Sequence, residues 1–393
     1  MQDFKYYAPT EVVFGKDAEE HLVEMINKYG GKKVLVHYGG HSAERSGLLA
    51  SVREKLNAAG IAFVELGGVK PNPRLTLVHE GIELCRKENV DFILAVGGGS
   101  VIDSSKAIGF GVKYDGDVWD IYARKYVPTD MLPVGVILTI PAAGSEMSDS
   151  SVITKEDGDL KFGYSNNICR PKFAIMNPVR TFTLPPYQTA CGATDIMMHT
   201  MERYFGKVDD MTLIDNIAEA LMRTVKDSVF HVLENPEDYR NRACIMWASS
   251  LGHNDLTGDR SYADFATHQI EHELSAMFDV AHGAGLAAVW PSWARYVMDE
   301  NVSRFARFAV NVMGVPNDFT DTKATAMAGV EAVEKFYRAI GMPTNIHELI
   351  GREITDDEIK ELAHKCSHDD GRTIGGFKKL DRHDMEEIYK MAR

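Results

Sequence analysis

Two stretches of this chain carry the residue types that bind transition metals: Asp195 with His199, and His268 with His282. Asp195 and His199 are four residues apart, so in a helix both side chains would project from one face. His282 lies further along the chain and precedes a Gly-Ala-Gly segment. One carboxylate and three imidazoles suit a divalent transition metal such as Zn²⁺ or Fe²⁺. If the four side chains meet, the chain is a metalloenzyme.

His272 forms a second pair at helical spacing with His268. It would face the same side of its helix, where it could be a further ligand, a proton relay or a packing residue. We favour the proton relay, and therefore a catalytic role, because an imidazole titrates near neutral pH. Its neighbours Glu271 and Glu273 could accept hydrogen bonds from ligand histidines, or they could lie in solvent or in salt bridges. His37, His253 and His364 lack such a context and are interpreted as structural or exposed.

A glycine-rich turn, Gly97-Gly98-Gly99-Ser100, follows a strand-like run and precedes a helix-like stretch that contains Asp103. Glycines let a phosphate approach the backbone, and a helix N-terminus offers unpaired N–H groups and a favourable dipole. The turn therefore suits a pyrophosphate, although Ile102 stands where the G-x-G-x-x-G fingerprint has its third glycine. The alternative is a tight turn in which Ser100 caps the helix and Asp103 occupies its third position.

A second glycine turn, Gly39-Gly40-His41-Ser42, follows another strand-like run and could hold the other end of the nucleotide. An acidic residue in such a turn binds the ribose 2′-hydroxyl of NAD and repels the 2′-phosphate of NADP. Here the first acid is Glu44, and the side chains of His41 and Ser42 could donate to a phosphate. The turn therefore favours NADP(H), with NAD(H) as the alternative cofactor. An ordinary exposed histidine remains the other interpretation of His41.

The elements that would position these residues alternate regularly in the first half of the chain. Apolar runs rich in β-branched residues indicate strands at 33–38, 61–66, 91–96, 133–139 and 173–176, and a helix-like stretch covers 75–87. This alternation is typical of a parallel α/β sheet. A turn-rich segment at 156–159 between two short β-like runs predicts a hairpin.

The pattern changes at residues 181–186, and beyond it apolar residues mostly recur every three or four positions. This spacing indicates helices, and no convincing strand follows. We therefore predict two domains. Residues 1–186 would form a Rossmann-like α/β dinucleotide-binding domain, and residues 187–393 an all-helical domain that carries the metal and substrate sites.

Composition excludes several classes of partner. The 393 residues carry a formal net charge of −14, which argues against a nucleic-acid surface. No apolar run approaches a membrane span, and the first residues lack the pattern of a signal peptide. Five scattered cysteines without a C-x-x-C motif indicate a reduced, cytoplasmic protein.

Taken together, these motifs resemble the iron-containing, or group III, alcohol dehydrogenases, and within them the branch of butanol dehydrogenases and broad aldehyde reductases. The resemblance covers essentially the whole chain. The segments that carry it are residues 97–106, 139–147, 183–186, Asp195 with His199, and 268–285. It implies the dehydroquinate synthase-like fold of this family, with a dinucleotide domain, a helical domain, and metal and substrate in a cleft between them.

The resemblance also assigns roles to individual residues. Asp195, His199, His268 and His282 match the metal ligands, and His272 matches a histidine near the substrate that does not bind the metal in most members. The matches to cofactor-binding positions are Gly97, Gly98, Ser100, Asp103, Thr139, Ser145, Lys161 and Leu184. Three positions depart from the pattern: Phe265 replaces a common tryptophan, His41 replaces a glycine of many NADP-dependent relatives, and Asn177 replaces a common aspartate before Pro178.

The implied activity is a metal- and NAD(P)(H)-dependent interconversion of primary alcohols, such as butanol, and aldehydes, by hydride transfer to a carbonyl that the metal polarises. A homodimer formed through the strand near Val12-Val13-Phe14 is implied as well. The alternatives are a glycerol dehydrogenase-like polyol oxidoreductase, which normally has three protein ligands, and a dehydroquinate synthase-like lyase. The lyase normally needs several Lys and Arg for its anionic substrate, and residues 263–291 contain none. A binding module without catalytic activity is a third alternative.

Overall fold

A computed structural model describes residues 3–208 and 211–393. The chain divides into two compact units. The first, Tyr7–Thr183, is here called the nucleotide unit, and the second, Leu184–Arg393 with the described residues 3–6, the helical unit. The predicted domain boundary after residue 186 lies a few residues from this division and stays a prediction.

The nucleotide unit is built on a six-stranded, wholly parallel sheet. The strands of the unit are β1 (Glu11–Phe14), β2 (Lys33–Tyr38), β3 (Ala62–Leu66), β4 (Phe92–Gly97), β5 (Val134–Leu138), β6 (Ser150–Lys155), β7 (Leu160–Ser165) and β8 (Phe173–Met176). The sheet order is β1-β8-β5-β4-β2-β3, and β6 and β7 form a separate antiparallel hairpin. Strands β4, β5 and β8 are buried at every position, as expected where helices cover both faces. The predicted strands and hairpin are confirmed, with small shifts at their ends.

Helices connect these strands. They are α1 (Leu22–Lys28), α2 (Ser42–Arg45), α3 (Leu48–Ala58), α4 (Leu75–Glu88), α5 (Gly99–Val112) and α6 (Trp119–Tyr122), with short 3₁₀ helices at Ala18–His21, Asn167–Cys169 and Pro178–Thr181. The chain passes from β2 to β3 on one side and then crosses to β4 on the other side of β2. This reversal between β2 and β4 is a topological switch point, where parallel sheets bind ligands outside the carboxyl ends of their strands.

The helical unit contains no strand among its described residues, apart from one isolated bridge between Ile374 and Leu380. Its helices are α7 (Pro186–Tyr204), α8 (Thr212–Glu234), α9 (Tyr239–His253), α10 (Ala266–Phe278), α11 (His282–Val297), α12 (Val302–Phe308), α13 (Thr322–Ala339), α14 (Ile346–Ile350), α15 (Asp356–Cys366) and α16 (Arg382–Met391). A 3₁₀ turn at Met298–Glu300 and a π-helical turn at Ala309–Met313 complete it. The predicted fold class is confirmed.

Helix α7 lies inside the helical unit, where α8, α9 and α11 pack against it. From Thr189 to Tyr204 nearly every residue of α7 is buried. Polar side chains in this segment are therefore removed from water and need partners within the protein. None of the helices within residues 3–208 and 211–393 combines the length and apolar character that a membrane span requires.

Candidate active site

The carboxylate of Asp195 is the point at which the four predicted metal ligands meet. Its Oδ1 lies 3.4 Å from His199 Nε2, 3.8 Å from His268 Nε2 and 3.8 Å from His282 Nε2. The ligand atoms of Asp195, His268 and His282 all lie within 4.8 Å of one another; His199 touches Asp195 but is not part of this closest group. Two atoms that each lie about 2.1 Å from one ion are roughly 3 to 4 Å apart. The spacing around Asp195 therefore fits a single cation.

Unsatisfied atoms give a second test of this fit. Asp195 Oδ1 and His268 Nε2 are buried and have no hydrogen-bond partner within the described part of the chain. Buried polar atoms without partners are rare in folded proteins, and each one calls for an explanation. A cation accounts for both atoms at once, because a carboxylate oxygen and an imidazole nitrogen are ordinary ligands of Zn²⁺ and Fe²⁺. The residues present thus suit a divalent metal.

Two glycines let the helices approach closely enough to form this site. A Cβ on Gly283 would lie 2.2 Å from the carbonyl oxygen of Cys191, so only glycine lets the start of α11 pack against α7. A Cβ on Gly285 would lie 2.7 Å from Oε1 of Glu271. The Gly-Ala-Gly segment after His282 therefore has a packing reason: it brings that histidine to α7 and leaves room for the Glu271 carboxylate.

Buried carboxylates accept hydrogen bonds from Nδ1 of two of the predicted ligand histidines. Nδ1 of His282 donates to Oε2 of Glu271, which is fully buried and also accepts from Ser275. Nδ1 of His268 donates to Oε1 of Glu202 over 3.0 Å. The hydrogen-bonding role considered for Glu271 is therefore present. The contact of Glu202 was not expected, since Glu202 and His268 are far apart in the sequence.

The electrostatics of the site favour positive charge at its centre. Burial opposes the charged form of His268, but the carboxylates of Asp195 and Glu202 outweigh it and raise the pKa of the ring to about 9. The same carboxylates would attract a cation. Burial, together with the neighbouring rings of His253 and His268, keeps the pKa of His199 well below its usual range. His199 therefore stays neutral, which is the form that binds metals.

Of the two roles considered for His253, structural or exposed, the exposed one is wrong: the residue is buried against a predicted ligand. Its ring centroid lies 3.9 Å from that of His199, with the ring planes tilted by 30°. Phe265 also borders the cluster, with its ring centroid 5.4 Å from that of His268, and has a left-handed φ of 57°, which is rare for aromatic residues. Both residues shape the surroundings of the ligands.

His272 lies beside the ligands, half-buried, with its ring centroid 5.6 Å from that of His282. Ligand atoms of Glu271, His272 and His282 also fall within 4.8 Å of one another. His272 thus lies close enough to serve the same site, as expected from its spacing after His268.

In the nucleotide unit, both predicted glycine turns follow the two strands at the switch point. Gly39 and Gly40 follow β2, and His41 and Ser42, which are exposed, begin the short helix α2. Gly97 ends β4, and Gly98 is the N-cap of α5. A Cβ on Gly97 would lie 2.4 Å from Val101 Cγ2, so the tight turn itself already requires glycine there. The Val101 N–H donates to Gly98 O at 3.0 Å, so the N–H groups that helix geometry leaves for an anion are those of Gly99 and Ser100.

The tight turn of the alternative interpretation is present, but its capping detail is wrong: Gly98, not Ser100, is the N-cap of α5, and no side chain caps this helix. Helix α5 begins at Gly99, and the Asp103 carboxylate instead accepts from Ser145 Oγ at 2.6 Å and from the Val152 N–H at 3.0 Å. Burial raises the pKa of Asp103, against the opposing effects of Lys106, Ser145 and Val152.

Lys106 is fully buried beside these residues. Its Nζ donates to Ser145 O, Ser145 Oγ, Ser148 O, Ser148 Oγ and Ser150 O, at 2.7 to 3.3 Å. This amine fixes the segment 145–150 against α5. Of the remaining predicted cofactor residues, Thr139 follows β5 and donates its N–H to Gly97 O at 3.0 Å, and Lys161 is buried on β7. Leu184 is half-buried and belongs to the helical unit.

The fold and the site together describe a protein with a dinucleotide-type parallel sheet and a helical unit that gathers one aspartate and three histidines. Comparison with known proteins gives the same class. A family model described as iron-containing alcohol dehydrogenase matches residues 9–178, and one described as the C-terminal part of the Fe-containing alcohol dehydrogenase family matches residues 189–393.

Individual relatives match over their whole length. The chain is 40% identical over 392 residues to a probable NADH-dependent butanol dehydrogenase of Bacillus subtilis, covering 100% of both chains. It is 34% identical over 397 residues to an NADPH-dependent aldehyde reductase of Escherichia coli, again covering 100% of both. The crystal structure of NADH-dependent butanol dehydrogenase A from Thermotoga maritima superposes with a TM-score of 0.95 at 37% identity, covering 100% of this chain and 99% of that one.

The chain therefore belongs to the iron-containing alcohol dehydrogenase family. The resemblance inferred from its motifs is confirmed, as is the predicted class, an oxidoreductase of the alcohol dehydrogenase and aldehyde reductase type.

Proposed function

We propose that this protein interconverts primary alcohols of butanol size and the corresponding aldehydes, with Asp195, His199, His268 and His282 holding one divalent metal, Fe²⁺ or Zn²⁺. The observation that carries the proposal is the meeting of three imidazoles at one carboxylate oxygen, Asp195 Oδ1. This oxygen and His268 Nε2 are buried without partners in the described chain. The printed names of two full-length relatives, a butanol dehydrogenase and an aldehyde reductase, support the substrate class.

A metal bound there would supply Lewis-acid polarisation of the carbonyl oxygen, and a nicotinamide cofactor would supply the hydride. The chain itself contributes position and protons. Asp195, between three imidazoles, sets the centre of the site, and Glu271 holds His282 through Nδ1. His272, half-buried beside His282, is the residue we assign to proton transfer with the substrate oxygen, because a histidine can both give and take a proton near neutral pH.

The experiment that tests this function follows oxidation of NADPH or NADH with butanal after the purified protein has been loaded with Fe²⁺ or Zn²⁺. We expect turnover that depends on the added metal and is lost with a chelator. Failure to oxidise either cofactor with a panel of linear aldehydes would refute the proposal and favour a binding module without catalytic activity.

The metal content of a His272 variant distinguishes a proton relay from a metal ligand. We expect His272→Ala to keep a full complement of metal and to slow turnover by on the order of a hundred-fold or more. Loss of the metal in this variant would make His272 a ligand rather than a proton relay.

The nicotinamide cofactor is proposed to bind at the switch point, with its pyrophosphate at Gly97, Gly98 and Ser100, and Asp103, Thr139, Ser145, Lys161 and Leu184 as further contacts. The turn Gly39-Gly40-His41-Ser42 favours NADP(H), because the first acid after it, Glu44, binds Arg53 at 2.9 Å. The relatives' names point both ways, to NADH at 40% identity and to NADPH at 34%. Turnover efficiency measured with NADPH and with NADH decides which cofactor is preferred. A clear preference for NADH would contradict the inference from this turn.

A homodimer through β1 and a cytoplasmic location complete the proposal. Strand β1 pairs only with β8 within the described sheet, and Phe14 at its end is exposed. An edge strand of this kind can pair with a second chain. All five cysteines are free thiols, as in a reducing compartment. Light scattering should give twice the mass of one chain.

A further inference from the structure

Glu202 of α7 makes a contact that the proposed reaction does not use. Its side chain is 2% exposed, and its Oε1 accepts both the backbone N–H of His268, at 2.9 Å, and the ring Nδ1 of His268, at 3.0 Å. An ionised carboxylate can only accept hydrogen bonds. The contact therefore requires a hydrogen on Nδ1 of His268.

This requirement decides which nitrogen of His268 faces the metal site. With hydrogen on Nδ1, the lone pair of a neutral ring lies on Nε2. Nε2 is the nitrogen that lies 3.8 Å from Asp195 Oδ1 and has no hydrogen-bond partner among the residues described. Glu202 thus fixes both the plane of the ring and the atom that it presents.

The same oxygen also secures the backbone that carries this ring. The N-cap of α10, Phe265, makes no side-chain capping bond, and the first N–H, that of Ala266, is taken by Asp264 Oδ2 at 3.0 Å. Glu202 takes the N–H of His268 in the same first turn. A negative charge at a helix N-terminus is favourable. One buried oxygen from α7 therefore holds the ligand on α10 at both its backbone and its ring.

The structure assigns Glu202 as the positioning residue that presents Nε2 of His268 to the metal; this inference rests on the metal centre proposed above. Outer hydrogen bonds of this kind typically change metal affinity by roughly 10- to 100-fold. We expect a loss in that range for Glu202→Ala. We expect a loss of less than about ten-fold for Glu202→Gln, because its amide oxygen can still accept from Nδ1.

The test measures Zn²⁺ affinity of the full-length protein by competition with a chromogenic chelator, for the wild type and both variants. A second readout is the Nδ1–H resonance of His268 in the Zn²⁺-loaded, ¹⁵N-histidine-labelled protein, identified by its absence in His268→Ala. We expect a slowly exchanging Nδ1–H in the wild type and in Glu202→Gln, and rapid exchange in Glu202→Ala.

The matched control is Glu219→Gln, which alters another buried carboxylate of the helical unit, one bonded to Tyr204 and Arg307. It should lower stability without changing Zn²⁺ affinity. Wild-type affinity in folded Glu202→Ala, or equal losses in the Ala and Gln variants, would overturn the positioning role. If Glu202→Ala does not fold, Glu202→Gln alone is used. A loss of Zn²⁺ affinity of less than about ten-fold, with a slowly exchanging Nδ1–H, supports the positioning role, and rapid exchange of that hydrogen overturns it. A wild-type protein that binds no Zn²⁺ or Fe²⁺ would instead refute the metal centre itself.

Discussion

The nucleotide unit and the helical unit differ in whether the polar side chains at their proposed binding sites already have hydrogen-bond partners. In the nucleotide unit, Lys106 donates to five oxygens and Asp103 accepts two hydrogen bonds, so these side chains beside the glycine turn at residues 97–100 are already satisfied. In the described helical unit, Asp195 Oδ1 and His268 Nε2 have no such partner. A phosphate can be bound by the N–H groups of a helix start, which leaves side chains free to support the loop. A metal is bound by side-chain lone pairs, so the ligand atoms must not be engaged in hydrogen bonds to other groups of the protein.

The most severe test of this contrast removes one ligand. We expect His268→Ala to lose its bound metal and to reduce turnover by on the order of a thousand-fold or more, because Lewis-acid stabilisation is worth several kcal/mol. The fold should survive, as judged by circular dichroism and by unchanged NAD(P)H binding. The control is His364→Ala, which alters a half-buried histidine of the same unit paired with Asp369. Full activity in a metal-free His268→Ala protein would end the proposed mechanism.

Lys106→Met tests the opposite claim, that the nucleotide unit depends on contacts already made. Removing the amine leaves buried carbonyl and hydroxyl oxygens without their donor, and we expect a loss of about 3 kcal/mol in the free energy of unfolding. The segment 145–150 should loosen, so the dissociation constant of NAD(P)H should rise while the metal content stays unchanged. Equilibrium unfolding in urea and cofactor fluorescence measure the two effects. A lower metal content with unchanged cofactor binding would show that the network serves something else.

His37 gives the nucleotide unit a pH dependence. The ring is fully buried between Leu66 O, 2.7 Å away, and Ser104 Oγ, 2.8 Å away, and burial lowers its pKa from 6.5 to about 4. Between pH 6.5 and about pH 4, His37 is protonated in the unfolded chain but stays neutral in the folded protein, so the free energy of unfolding falls as the pH falls. We expect unfolding free energy to drop between pH 7 and pH 4.5 by about 2 kcal/mol more in the wild type than in His37→Asn. Parallel curves for the two proteins would contradict this assignment.

Gly283→Ala tests the close packing of α11 on α7. Its Cβ would collide with the backbone of Cys191, and relief of such overpacking costs about 1 to 3 kcal/mol. Since α11 would move away from α7, Zn²⁺ affinity should weaken as well. Gly40→Ala is the matched substitution in the nucleotide unit, where a Cβ would meet no atom within 4 Å. It should leave stability unchanged, and equal thermal shifts for the two variants would refute the packing argument.

The fold followed from the sequence because its signals are local. The strand at residues 33–38, the helix at 75–88 and the spacing of Asp195 and His199 can each be read from neighbouring residues. The meeting of α7, α10 and α11 was inferred from the resemblance to a family, since no local pattern specifies which distant helices touch.

Contacts that join distant segments were missed. Glu202 lies on the same face of α7 as Asp195, which could have drawn attention to it, but its partner His268 is 66 residues away. His253 gave no signal, because a single histidine at the end of a helix is usually exposed. Lysines are almost never fully buried unless they are paired. The burial of Lys106 could not be anticipated, because its partners are serines 39 to 44 residues away in the sequence.

The hydrogen that stands in place of a side chain at Gly285 bears on attempts to engineer this enzyme. Any larger residue there would displace the Glu271 carboxylate and release the ring of His282 to rotate. Mutagenesis libraries aimed at new substrates or metals should therefore keep position 285 fixed. Diversity introduced around Phe265, whose half-buried ring borders the proposed ligands and carries no polar atom, should leave the proposed coordination intact and is the safer route to altered selectivity.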